Sequence, residues 1–133
     1  MDFNFSQEQK ILKESAHRFF GKECPKSLVR ELIENERGYS PELWRKMADL
    51  GWLGLTFPHA FGGAGGNFID LVLLQEEMGG ALMPSPFVTT VVIGGGIVLE
   101  AGSEEQKQYF LSGIAAGEII ISLALLESGQ SLT

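Results

Sequence analysis

Gly62-Gly63-Ala64-Gly65-Gly66 is the stretch of this sequence that comes nearest to a ligand-binding motif. Glycine amides ahead of a helix N-terminus can cradle an anion, and Asn67, directly after them, reads as a helix cap. The spacing matches neither G-x-G-x-x-G nor a P-loop, because no Lys-Ser or Lys-Thr pair follows. Four glycines in five residues cannot hold a helix, so the stretch reads first as a turn. Glu76 and Glu77 are the nearest thing to a carboxylate pair. Neighbouring residues on a helix do not face each other, so joint acid–base work is not expected; one carboxylate should be solvated and the other paired with a basic residue. His17 and His59 have no ligand spacing between them or with other residues, and no metal site is expected. Cys24 precedes Pro25 at a helix start. A helix N-terminus can activate a thiol, but a structural thiol is the plainer reading. Thr89 and Thr90 stand out on a mostly apolar segment. A hydroxyl there is ordinarily satisfied by a carbonyl of the preceding turn. No serine or cysteine nucleophile arrangement is present.

These residues sit in a chain of 133 residues with net charge −7. That length carries one domain with a real core. An apolar fraction of 44% with 20% charged residues is a globular composition. The acidic balance argues against nucleic-acid binding, which needs clustered Lys and Arg. One cysteine excludes an intrachain disulfide and a Cys-rich zinc site. The start, Met1 to Phe5, lacks the basic residues and apolar run of a signal peptide, and the longest apolar stretch, 86–99, is glycine-broken and too short to span a bilayer. The expected location is cytoplasmic.

The elements that must position these groups are mostly helical. Ser6-Gln7-Glu8-Gln9 is a capping box. Leu12, Ala16, Phe19 and Phe20 follow at helical spacing, with Gly21 as the stop. Pro25 opens a second helix with an apolar face of Leu28, Val29, Leu32 and Ile33. Ser40-Pro41-Glu42 starts a third, ended by Gly51. Residues 52–57 read as an extended apolar connector. A fourth helix runs on from Asn67, apolar nearly all round and so central. A fifth spans about 86–101, and its three consecutive glycines, Gly94 to Gly96, should admit close approach of a backbone or ligand. Ser103-Glu104-Glu105-Gln106 is a second capping box, opening a sixth helix that ends at Gly113 to Gly117. Ile119 to Leu126 then reads as a strand. The fold class is therefore all-α, an orthogonal or up-down bundle of about six helices, ending in the first strand of a truncated β domain.

Phe5-Ser6-Gln7-Glu8-Gln9, Pro41-Glu42-Leu43-Trp44, Leu50-Gly51-Trp52-Leu53-Gly54-Leu55, Pro58-His59-Ala60-Phe61-Gly62-Gly63-Ala64-Gly65, Glu76-Glu77-Met78-Gly79 and Ala101 to Lys107 with Tyr109-Phe110-Leu111 come in one order. In that order, from about Phe5 to Glu127, the sequence resembles the N-terminal part of an acyl-CoA dehydrogenase. The resemblance implies a helical domain over 1–117 and the start of a middle β-barrel domain over 118–133. It implies FAD as cofactor and α,β-desaturation of an acyl-CoA thioester, with proton loss to a carboxylate and hydride transfer to flavin N5. Electron-transfer flavoprotein, or a similar acceptor, is the implied electron partner, and homo- or hetero-oligomers are the implied assembly. No catalytic residue is expected here, since the base belongs to the family's C-terminal part; Glu127 is not that base. Leu123, Leu125, Leu126 and Glu127 fall on the stretch that lies against flavin. Phe87, Val88, Thr89 and Thr90 fall on the wall of the acyl pocket. The sequence departs from the family pattern by placing Leu126 where Thr is usual, Ser128 where Pro is usual, and Ser131-Leu132-Thr133 in place of Gly-Ser-Asp. Leu126 offers a backbone amide but no hydroxyl. The expectation is thus a pocket wall that is inactive alone. A non-catalytic subunit of a heteromeric dehydrogenase and a free-standing helical interaction module are the alternatives.

Overall fold

A computed structural model describes residues 4–126. Six α-helices run in order among them: α1 (Gln7–Glu23), α2 (Lys26–Glu34), α3 (Pro41–Asp49), α4 (Phe68–Gly80), α5 (Gly96–Ala101) and α6 (Glu104–Ala115). Two short 3-10 turns, Trp52–Gly54 and His59–Phe61, lie between α3 and α4, and a π-helical segment, Val88–Gly95, leads straight into α5.

The local start signals act as expected. The Ser6 hydroxyl accepts the Gln9 amide at 3.1 Å, and the Gln9 side chain accepts the Ser6 amide at 3.0 Å. Ser103 and Gln106 repeat this at 3.2 and 2.9 Å. Asn67 and Asp70 form a third such box, with Asp70 accepting the Asn67 amide at 2.8 Å. Each cap is worth about 1 kcal/mol. Ser40 caps α3 through the Leu43 amide, with Pro41 at the first helical position.

Local stop signals were weaker guides. α1 runs through Gly21 to Glu23 and ends at Cys24, the residue that Pro25 bars from helical conformation; an open-space glycine inside a helix costs only about 1 kcal/mol. Ile33 turns outward, 73% exposed, while Val29 and Leu32 are buried. Residues 52–57 are not extended. Gly51 takes a left-handed conformation, φ +76°, and swings the chain into the 3-10 turn that buries Trp52 and Leu53. α4 is not enclosed on all sides: Leu71, Leu73, Leu74 and Met78 are buried, but Phe68, Ile69 and Val72 face outward. The fifth helical stretch is π-helical over its first eight residues. Residues 118–126 form no strand ladder among the described residues.

α1 lies along α4. Gln9 donates to Asp70 at 2.9 Å, Lys13 pairs with Glu76 at 2.8 Å, and His17 Nδ1 lies 2.8 Å from Glu77 Oε2. Beneath this polar seam Phe19, Phe20 and Trp52 form an aromatic group, with Phe19 edge-on to Trp52 at 5.0 Å and to Phe20 at 5.2 Å. Lys46 ties α3 to the end of α1 through Glu23 at 2.6 Å. The core continues through Met47, Leu53, Phe57, Leu74, Phe87, Leu111 and Ile114.

Candidate functional site

The glycine loop is a bracket and not a cradle. Its amides are consumed by the chain just before it: Gly62 donates to His59, Gly63 to Pro58, Ala64 to Gly54, Gly65 to Phe57 and Gly66 to Leu55, all at 2.8–3.1 Å. No amide in that run is left to hold an anion. The glycines are required by contact, since a Cβ on Gly63 would overlap the Phe57 carbonyl. His59 belongs to the same bracket, with Nδ1 2.9 Å from the Gly63 carbonyl oxygen. Lys13 meets both carboxylates, Glu76 at 2.8 Å and Glu77 at 4.0 Å, and His17 Nδ1 lies 2.8 Å from Glu77. Glu76 is the solvated one, its side chain 59% exposed although it also meets Lys13, and Glu77, 14% exposed, is paired with basic groups. Cys24 is buried, and burial pushes its thiol above the ordinary value. Among the described residues no group of three or more His, Cys, Asp or Glu could hold a metal ion.

The π-helical segment and the chain after α6 meet each other. Along 87–97 the residues sort into two faces. Phe87, Thr90, Val91, Gly94 and Gly95 are buried, whereas Val88, Thr89, Ile93 and Ile97 are exposed. Of the four residues expected on the acyl wall, Val88 and Thr89 present surface, and Phe87 and Thr90 stand behind them in the core. The Thr89 hydroxyl turns back and donates to the Pro86 carbonyl at 3.0 Å, the ordinary local solution. Thr90 does something else: its hydroxyl donates to the Ile121 carbonyl at 2.9 Å and accepts the Ile121 amide at 3.3 Å.

The two buried glycines admit side chains, not a backbone or ligand. A Cβ on Gly94 would lie 2.6 Å from Ile121 Cγ1, and one on Gly95 would lie 2.5 Å from Phe57 Cζ. Gly96 has open space around its Cβ position. Ile119 and Ile121 face inward while Ile120 and Ser122 face out, the period-two alternation of extended backbone. Leu123, Leu125 and Leu126 are exposed, Leu125 by 74%. Glu127 lies outside the described residues. The side chains of Leu123, Leu125 and Leu126 carry no hydrogen-bonding group. They supply neither hydroxyl nor charge.

The local carbonyl partner expected for Thr90 is replaced by a distant one. Thr90 stood out as a polar residue on an apolar helix, and that signal was sound, but its partner is 31 residues away. Gly94, Gly113, Ile119 and Ile121 were missed as an interlocking set; the paired isoleucines at 119 and 121 were the available signal.

A helical domain of six α-helices with one extended segment docked on a π-helical stretch is the class the fold defines. Residues 6–118 match the family described as acyl-CoA dehydrogenase, N-terminal domain, and the chain belongs to that family. It is 31% identical over 126 residues to the acyl-CoA dehydrogenase IpdE2 of Mycolicibacterium smegmatis, covering 94% of this chain and 40% of that one. It is 32% identical over 128 residues to the acryloyl-CoA reductase (NADH) of Anaerotignum propionicum, covering 96% of this chain and 32% of the relative. In three dimensions it superposes on a chain of the ChsE4-ChsE5 complex from Mycobacterium tuberculosis with a TM-score of 0.87 and 29% identity, over 98% of this chain and 36% of that one. The chain thus spans about a third to two fifths of the length of these relatives. No helix among the described residues is long and apolar enough to cross a membrane.

Proposed function

We propose that this chain is the N-terminal helical part of an FAD-dependent acyl-CoA dehydrogenase, and that it forms one wall of the acyl pocket without being catalytic alone. The observation that carries the reading is the exposed stripe of Val88, Thr89 and Ile93, set on the same segment that holds the extended chain leading to Leu123–Leu126. An acyl chain is recognised by apolar surface with few polar groups, and the stripe has that character. FAD, when bound, accepts the hydride from the β carbon of the thioester. The contribution of this chain is to exclude water from one side and to present main-chain amides at one edge of the flavin. Residues 1–117 form the helical domain in this reading, and 118–133 open the next one. Gly117, with φ +74°, makes the turn between them. Proton abstraction belongs to a carboxylate outside this chain, and an electron-transfer flavoprotein or similar acceptor takes the electrons.

The test is the visible spectrum of the protein expressed from its gene at full length. A yellow protein that bleaches on addition of an acyl-CoA supports the reading. A colourless protein that takes up no added FAD overturns it.

One observation favours a second reading. Leu126 offers no hydroxyl at the flavin-facing position, and the structural likeness includes a chain of a two-component complex. In this reading the chain belongs to a non-catalytic subunit that pairs with an active one. Co-purification with a yellow partner, while the isolated full-length protein stays colourless, would favour it over the first.

A further inference from the structure

We propose that Thr90 is a positioning residue: its hydroxyl clamps the extended segment to the π-helical segment, and so fixes the spacing between the acyl-facing stripe and the flavin-facing backbone. The clamp stands on geometry alone; what the two surfaces face rests on the function proposed above.

A hydroxyl has one proton to give and two lone pairs. Thr90 uses both capacities on one residue, donating to the Ile121 carbonyl at 2.9 Å and accepting the Ile121 amide at 3.3 Å. In a sheet those two groups of Ile121 would be paired by a neighbouring strand. Here a single side-chain oxygen does so from a helix, with Thr90 fully buried. That is why residues 118–126 can be docked and extended with no ladder among the described residues. Two side-chain sockets hold the same register. Ile121 fills the space where a Gly94 Cβ would stand, and Ile119 fills that of Gly113 on α6. The amides of Glu118 and Ile119 both donate to the Gly113 carbonyl, at 2.9 and 3.1 Å.

Thr89 and Thr90 therefore divide the work of one helical turn. Thr89 faces out with its hydroxyl satisfied locally, and Thr90 faces in with its hydroxyl spent on Ile121. Pressure on the outer face at Val88, Thr89 or Ile93 acts on the segment whose inner face sets Ile121, two residues before Leu123. π-Helical geometry inside longer helices is frequent at functional sites, and Thr90 and Gly94, four residues apart, share one face as i and i+4 residues do.

The test is amide hydrogen exchange at Ile121 in the 133-residue chain, followed by NMR. Thr90→Val keeps the shape and removes the hydroxyl. It should speed exchange at Ile121 by about tenfold or more, while Leu111 and Ile114 stay protected, and Thr90→Ser should restore the slow rate. A packing role alone would tolerate valine better than serine and reverse that order. Unchanged exchange at Ile121 in Thr90→Val, with α6 intact, overturns the clamp. If Thr90→Val does not fold, the unmutated chain decides: a nuclear Overhauser cross-peak between the Thr90 side chain and the Ile121 amide is required, and its absence overturns the proposal. In the full-length protein, Thr90→Val should also shift the flavin absorption band, with Thr90→Ser returning it. A band that does not move, while Ile121 loses protection, overturns the coupling but not the flavoprotein reading. A colourless unmutated protein overturns that reading and the flavin half of this proposal, and the exchange result still decides the clamp.

Discussion

Phe57 and Gly95 occupy one space: a Cβ on Gly95 would lie 2.5 Å from Phe57 Cζ and 3.3 Å from the Thr90 carbonyl oxygen. Phe57 is 1% exposed and cannot swing away. The next residue, Gly96, has nothing within 4 Å of its Cβ position, though its backbone is equally helical. Two adjacent glycines thus serve opposite ends, one making room for a ring and the other only adding flexibility.

This contrast gives a matched pair of substitutions. Gly95→Ala should destabilise the chain by about 1–3 kcal/mol, the usual cost of overpacking. Gly96→Ala should stabilise it by roughly 0.5–1 kcal/mol through helix propensity. Urea unfolding of the two variants checks both signs; equal effects would mean that Phe57 does not define the Gly95 site.

Gly63→Ala should be worse than either. The atom it would meet is the Phe57 main-chain carbonyl, which is held by the turn and cannot give as a side chain can. A loss of about 3 kcal/mol or more is expected, a size reserved for a few mechanisms of which backbone collision is one. Inorganic phosphate should not raise the thermal midpoint of the unmutated chain, because the loop amides are already spent.

The Glu23–Lys46 pair sets a pH dependence with a definite sign. The hydrogen bond from Lys46 holds the Glu23 carboxyl below its ordinary 4.5, against the opposing effect of burial. Hydrogen bonds to Glu23 and then Glu42 hold Lys46 above its ordinary 10.5. Glu23 therefore contributes stability that is fully present above pH 4.5 and is lost as pH falls through its lower folded value. Lys46 contributes stability that is fully present below pH 10.5 and is lost as pH rises through its higher folded value. Thermal melts of the wild type and Glu23→Gln should differ most at neutral pH and converge in acid. Added salt should shrink the difference, since the pair lies at the surface.

Cys24 should be inert. Burial raises its thiol, and the sulfur lies 4.0 Å from the Ala81 carbonyl oxygen. A colorimetric disulfide reagent at pH 8 should modify the native chain at least about a hundredfold more slowly than the urea-unfolded one, because reaction needs an accessible thiolate. Comparable rates would mean that the α1 terminus opens readily.

The parts of this fold that were legible in the sequence are those decided within four residues. Ser6 with Gln9, Ser40 with Pro41, and Ser103 with Gln106 each carry their partner close by, and each helix begins where those residues place it. The bend at Gly51 was visible as a helix end, but its left-handed turn into a buried 3-10 segment depends on what Trp52 packs against. The π-helical stretch hid behind a β-branched run, Val88 to Ile93, that is simply a poor α-helix by propensity. Which of Phe87, Val88, Thr89 and Thr90 face out is decided by what the segment packs against, and Phe87 and Thr90 are the buried ones. Thr90 with Ile121 and His17 with Glu77 were beyond local pattern, because the partners are 31 and 60 residues apart.

The seam between α1 and α4 has a consequence for how the molecule comes into being. Its contacts join residues 60 to 63 positions apart, from Gln9–Asp70 to Lys13–Glu76 and His17–Glu77. Closing a loop of that length costs on the order of 4 kcal/mol in chain entropy before any contact offsets it. During synthesis α1 emerges before α4 and can meet α3 and Trp52 earlier, but its polar seam cannot close until residues 68–80 have left the ribosome. The sequence meets that delay with a capping box at Ser6 that holds the helix start without help, and with polar groups along much of the waiting helix. The aromatic group of Phe19, Phe20 and Trp52 can thus assemble before the long-range seam that lies along the same helix.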